Sequence, residues 1–103
     1  MIIYNVTVSI DKEMEKTWID WMKSTHIPNV MNTGMFLDCK ISRVLAEEMG
    51  GLTYAIQYSC KDMQTYEKYN NKFATKLQEK HIKKFAGKFA AFRTLLEVVY
   101  RHE

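Results

Sequence analysis

Few side chains in this 103-residue sequence are equipped for chemistry, and they are scattered. His26 stands out first. It comes just before Ile27-Pro28, where a helix is expected to end, and an imidazole there has the pKa range of a general base. The same ring at a helix C-terminus also has a purely structural use, bonding the last carbonyls and favouring the dipole. His81 shares an every-fourth row with Phe73, Leu77, Phe85 and Phe89, which predicts a half-buried residue at the inner edge of a helix. A helical His can also be an axial haem ligand, and that reading predicts a coloured protein. His102 lies at the end of the chain. The three histidines are scattered and share no metal-ligand spacing with a Cys or a carboxylate, so they make no metal site, and no cofactor motif accompanies them. Trp18, Trp21, Tyr54, Tyr58 and Tyr66 are either an aromatic pocket, with Tyr54 or Tyr58 orienting a flat ligand, or the plain core between helices and sheet.

Other reaction classes leave no trace. The sequence shows no Gly-rich phosphate loop, nucleophile elbow or paired-carboxylate spacing. Cys39 and Cys60 make neither a zinc spacing nor a C-x-x-C motif, and two reduced thiols in the core fit them better than a disulfide. Lys plus Arg exceed Asp plus Glu by 15 to 12, a net +3 that falls short of a nucleic-acid-binding signature. Lys72, Lys76, Lys80, Lys84 and Lys88 recur every fourth residue, interleaved with Glu67 and Glu79, as a solvated helix face. No apolar run is long enough to span a membrane, and the N-terminal residues have no secretory pattern, so the expected location is the cytoplasm.

These side chains need elements to hold them. Residues 2–10 alternate, with Tyr4, Val6, Val8 and Ile10 on one side and Asn5, Thr7 and Ser9 on the other, as in a half-buried strand. Asp11 is an N-cap residue type, and Glu13 and Glu15 suit the first turn of a helix. Met14, Trp18, Trp21, Met22 and Thr25 recur at helical spacing, predicting a helix over 12–25 that Pro28 ends at about His26. Asn32-Thr33-Gly34 signals a turn. A second strand is expected over 36–45, with Leu37, Cys39, Ile41 and Leu45 on one face. Gly50-Gly51 predicts a tight turn into a third strand over 52–60, whose Leu52, Tyr54, Ile56, Tyr58 and Cys60 face the core.

The hairpin joins its apolar sets on one face only if paired residue numbers sum to an odd value. The two-residue turn sets Met49 opposite Leu52, a sum of 101, with Cys39 and Cys60 diagonal to each other. Asp62 then caps a second helix, with Met63, Tyr66, Asn70, Phe73 and Leu77 inward. The pattern weakens between Glu79 and Gly87, which predicts a bend or a short extra helix carrying Ile82, Phe85 and Ala86. A last strand is expected over 91–100, with Phe92, Thr94, Leu96, Val98 and Tyr100 inward and Arg93, Leu95, Glu97 and Val99 outward.

The order is therefore β-α-β-β-α-β in a single α+β domain covering 1–103. Right-handed crossovers give one antiparallel four-stranded sheet, order 4-1-3-2, with both helices on one face. The other face is mixed in character, and packing against a twin in a homodimer is one use of it. Asn5, Thr7, Gln57, Arg93 and Glu97 are the expected polar cluster of that interface. RNA-recognition folds share this topology but need aromatic residues on the open face. The central strands offer Asn5, Thr7, Ala55 and Gln57 there, which counts against RNA.

Trp18-x-x-Trp21-Met22, followed by His26-Ile27-Pro28-x-x-Met31-x-Thr33-Gly34-x-Phe36, resembles the first-helix exit of the dimeric α+β barrel superfamily. Thr53-Tyr54-Ala55-Ile56-Gln57-Tyr58 and Phe92-Arg93-Thr94-Leu95-Leu96 add to the likeness. Nearly the whole chain is similar to one bacterial family of about this length whose function is unknown. The resemblance implies a ferredoxin-like fold and a homodimer, and it implies no activity. Two functional readings follow. In the first, the protein is a small homodimer that takes a small molecule, if any, between helices and sheet, beside Trp18, Trp21, Tyr66 and His81. In the second, it is a cofactor-independent enzyme of the monooxygenase or isomerase kind, acting on a small aromatic or polyketide-like substrate. His26 would then be the base, because a His at a similar place lines the pocket in some members of the superfamily.

Overall fold

The computed structural model describes residues 1–46 and 51–103. Four strands form one sheet in the order β2-β3-β1-β4: β1 (Ile2–Asp11), β2 (Asp38–Arg43), β3 (Gly51–Cys60) and β4 (Phe89–Glu97). All three pairings are antiparallel. Two helical arms cover one face, and Tyr4, Val8, Ile10, Tyr54, Ile56, Tyr58 and Cys60 are buried beneath them. This is the strand order expected from the β-α-β-β-α-β element pattern, and the α+β ferredoxin-like fold that the resemblance implies.

The first arm departs from expectation. A 3-10 turn (Lys12–Met14) leads into α1 (Glu15–Trp21), then a π turn (Met22–His26), then α2 (Ile27–Met31). The helix thus runs through Pro28 and does not end at His26. Proline has no N–H for the carbonyl four residues back, Ser24, and its ring crowds that carbonyl. A π turn at this point widens the ladder and absorbs both problems. Ile27 accordingly keeps helical angles, φ −61° and ψ −46°, although it precedes a proline. Asp11 makes no side-chain cap bond. Thr33 and Gly34 close the arm by donating to Val30 and Met31 carbonyls, with Gly34 at φ +77°, a conformation that favours glycine.

The second arm consists of α3 (Met63–Tyr69), a π turn (Asn70–Ala74) and α4 (Thr75–Phe85). No bend occurs between 79 and 87. The phase is reset earlier, at Asn70-Asn71, two poor helix formers. Past that turn Leu77, His81 and Phe85 are buried, whereas Met63, Asn70 and Ile82 face out. Asp62 caps the arm as expected, its Oδ1 accepting from the Thr65 backbone N–H at 2.8 Å. The lysine row is exposed.

Register carries two corrections. In the β2–β3 pair, Cys39 lies opposite Tyr58 and Ile41 opposite Ile56, so paired numbers sum to 97 and not 101. The sum is odd, as a shared apolar face requires. The connection is longer than two residues, and its Glu47–Gly50 portion lies outside the described residues. Leu37 and Leu45, at 60% and 91% exposure, fall outside β2 and its buried face. In the β1–β4 pair, Val6 lies opposite Arg93 and Ile2 opposite Glu97. Arg93, Leu95 and Glu97 therefore share the helix side of the sheet with Phe89 and Ala91, while Phe92, Thr94 and Leu96 occupy the open face. The expected phase of this strand is inverted. β4 is an edge strand with apolar residues on both faces, so alternation alone cannot orient it.

Candidate functional site

The site is built where the π turn of the first arm meets α4 and the sheet. The Met22–His26 turn carries His26 inward, and α4 sets His81 beside it, with ring centroids 5.8 Å apart. Trp21 stacks on His26 at 5.3 Å and Phe89 meets the His81 ring edge-on at 4.3 Å. Arg93 rises from β4, its Nε donating to the Tyr4 hydroxyl at 3.0 Å. His26, His81, Phe89, Arg93 and Tyr4 surround a cavity of about 30 Å³ that Tyr58, Tyr69 and Gln78 also line, room for roughly two water molecules.

The two imidazoles are neutral at physiological pH. Burial lowers His26 from 6.5 to about 4, with the Arg93 charge adding to the shift. Burial, then His26 and Arg93, lower His81 to about 4 as well. Their roles nonetheless differ. The Trp18 indole N–H donates to His81 Nε2 at 2.8 Å. An indole only donates, so Nε2 is the acceptor and the His81 proton resides on Nδ1. This occupies the ring nitrogen that an axial iron ligand would offer and leaves the haem reading without support. His26 Nδ1, in contrast, is buried with no hydrogen-bond partner. Such a group costs on the order of 1–3 kcal/mol unless something pairs with it.

The other predicted residues are distributed as follows. Tyr58 lines the cavity, and burial raises its hydroxyl pKa, so the hydroxyl stays neutral beside the Cys39 thiol. Tyr54 does not reach the cavity. Its hydroxyl donates to Glu15 and its ring packs on Trp18 at 5.2 Å, with burial pushing its pKa up to about 12. Trp18 and Trp21 support the histidines without lining the cavity, and Tyr66 packs on Tyr4 at 5.2 Å outside it. Asn5, Thr7 and Gln57 lie together on the open face, Asn5 donating to Thr7 at 3.1 Å. Arg93 and Glu97 do not join them, because the β4 phase turns both to the helix side. Cys39 and Cys60 are free thiols. Arg93, Tyr4, Tyr69 and Gln78 are the residues that sequence reasoning missed. Starting β4 at Phe89, two residues past the helix-ending Gly87, would have placed Arg93 here.

Among the described residues no three His, Cys, Asp or Glu side chains gather as metal ligands, and no helix is long and apolar enough to cross a membrane. No curated protein matches the sequence closely enough to bring an activity with it. Solved structures do match the fold. A dimeric ferredoxin-like protein from an uncultured marine organism is 13% identical at TM-score 0.77, with 98% of this chain and 97% of the other covered. An ethyl tert-butyl ether D (EthD) family protein of Bacillus halodurans is 19% identical at TM-score 0.69, covering 96% and 100%. A Bacillus cereus protein whose name assigns it, by inference, to antibiotic biosynthesis monooxygenases is 9% identical at TM-score 0.69, covering 99% and 96%. At these identities the likeness is one of fold. A family model spans nearly all of the sequence, residues 1–99, and the chain belongs to that family, the domain of unknown function DUF4286.

Proposed function

We propose that the protein is a bacterial, cytoplasmic homodimer that binds a small molecule in the cleft between its helical arms and its sheet. One observation carries this reading: the buried His26 Nδ1 has no partner, beside a second imidazole and an arginine around a single cavity. Folded proteins rarely leave a buried polar nitrogen orphaned, and a ligand that supplies the missing bond is the simplest reason to keep one. The homodimer is supported by the open sheet face, where Phe92 is 63% and Leu96 43% exposed. Native mass spectrometry of protein purified without added ligand tests both parts. Two chains plus a defined excess mass are expected; a lone chain with no excess would overturn the reading.

A second reading is catalytic, a cofactor-independent enzyme of the monooxygenase or isomerase kind with His26 as base. The free nitrogen of His26 and the fold shared with the Bacillus cereus protein favour it. Two features weigh against it. A conjugate-acid pKa near 4 makes His26 a weak base at neutral pH. A cavity of about 30 Å³ also admits no aromatic ring unless its walls move. Loss of turnover in His26→Ala, once a substrate is in hand, would establish this reading over simple binding.

A further inference from the structure

We infer that the ligand of this cleft is a small organic carboxylate, held between the Arg93 guanidinium and the Nδ1–H of His81. The inference rests on the binding reading above and names the chemistry of what binds.

Charge and donor geometry carry the argument. The cavity wall contains no Asp or Glu. Among the described residues no carboxylate lies within ion-pairing distance of Arg93. Its Nε is committed to Tyr4, which leaves its remaining N–H groups for another acceptor. His81 is fixed as a donor by the Trp18 bond, because with Nε2 accepting, Nδ1 must carry the proton. Tyr69 adds a neutral hydroxyl, burial holding its pKa above the ordinary value, while the neutral Tyr58 hydroxyl lies against Cys39. The wall is therefore rich in donors and positive in charge, with no built-in anion to answer it. A carboxylate answers it in one group: one oxygen against Arg93, the other against His81. Charge-assisted bonds of this kind are the strong ones. The same ligand sits beside the orphaned Nδ1 of His26, whose missing bond goes to an oxygen or hydroxyl substituent next to the carboxylate. The size of the cavity limits the ligand to the smallest acids as the walls stand, and a three-carbon acid enters only as those walls move.

The test uses the full chain with acetate and lactate as probes, each against its neutral amide, acetamide and lactamide. Calorimetry gives affinity, and histidine side-chain ¹H–¹⁵N spectra locate binding and report tautomers. The acids are expected to bind and to shift His26 and His81, with each amide at least tenfold weaker. Arg93→Gln is expected to weaken acid binding at least tenfold, and Arg93→Lys to restore part of it. Trp18→Phe removes the indole donor, and the His81 spectrum is expected to lose its single Nδ1–H form. Equal binding of acids and amides would overturn the carboxylate assignment and leave the cleft as a ligand site. Shifts absent from both histidines with all four probes would overturn the assignment, whereas the excess mass carried by purified protein judges the cleft separately. Acid binding unchanged in Arg93→Gln would also overturn it.

Discussion

At the scale of the residue, the candidate site is distinguished by two imidazoles that burial keeps neutral. His26 and His81 both titrate near 4 in the fold, against 6.5 when exposed, chiefly because burial penalises the charged ring. The unfolded chain then binds more protons than the folded one between about pH 6.5 and 4, so stability rises with pH across that window and falls on acidification. The pair together is expected to lose on the order of 3 kcal/mol between pH 7 and pH 4, a figure discounted because His26 is only partly shielded. Urea midpoints at several pH values check this, and His81→Gln is expected to flatten the slope by about half. A midpoint that does not change between pH 7 and 4 would mean that the rings are not neutral. Trp18→Phe acts on the same pair by another route. It strips the partner from His81 Nε2 in the core and is expected to cost about 2 kcal/mol.

At the scale of the element, two aspartates that look alike in sequence do different work. Asp62 accepts from both the Thr65 N–H and the Thr65 hydroxyl, whereas Asp11 makes no such cap bond before its 3-10 turn. Asp62→Ala is expected to destabilise the fold by about 1 kcal/mol and Asp11→Ala by much less, as read by denaturant unfolding. A larger loss at Asp11 would contradict the geometry. The same contrast shows how far the sequence can be read. Alternation in 2–10 and 52–60 located the two central strands, because each has one buried and one open face. The phase of β4 could not be read in the same way, since Phe92 and Leu96 mark one side while Phe89 and Ala91 mark the other. Only pairing with β1 decides between them, and that decision moves Arg93 into the site. Pro28 misled for a related reason. A proline rule describes an α-helical ladder, and the π turn that spares the helix depends on tertiary packing that no short window contains. His26 was legible as a candidate. Its neighbour His81 was legible as half-buried, but a bond to a residue 63 positions away was not.

At the scale of the whole molecule, the inverted β4 changes the argument for a dimer and strengthens it. The interface expected from sequence was a polar cluster that included Arg93 and Glu97. The open face instead combines Asn5, Thr7 and Gln57 with Ile3, Phe92 and Leu96. Phe92, at 63% exposure, adds little to the stability of a single chain, but in the proposed homodimer a two-fold axis on this face would bury each copy against its mate. A stable pair needs roughly 800 Å² covered on each chain, an area that one side of a four-stranded sheet can supply. Phe92→Asp places a charge at that contact. It is expected to weaken the dimer at least tenfold while leaving the circular dichroism spectrum of the chain unchanged, since the ring packs little within one copy. Lys84→Asp, on the exposed helix face, is expected to leave the dimer intact. Sedimentation equilibrium of the three proteins decides the matter, and a Phe92→Asp dimer as tight as the parent would move the interface off this face.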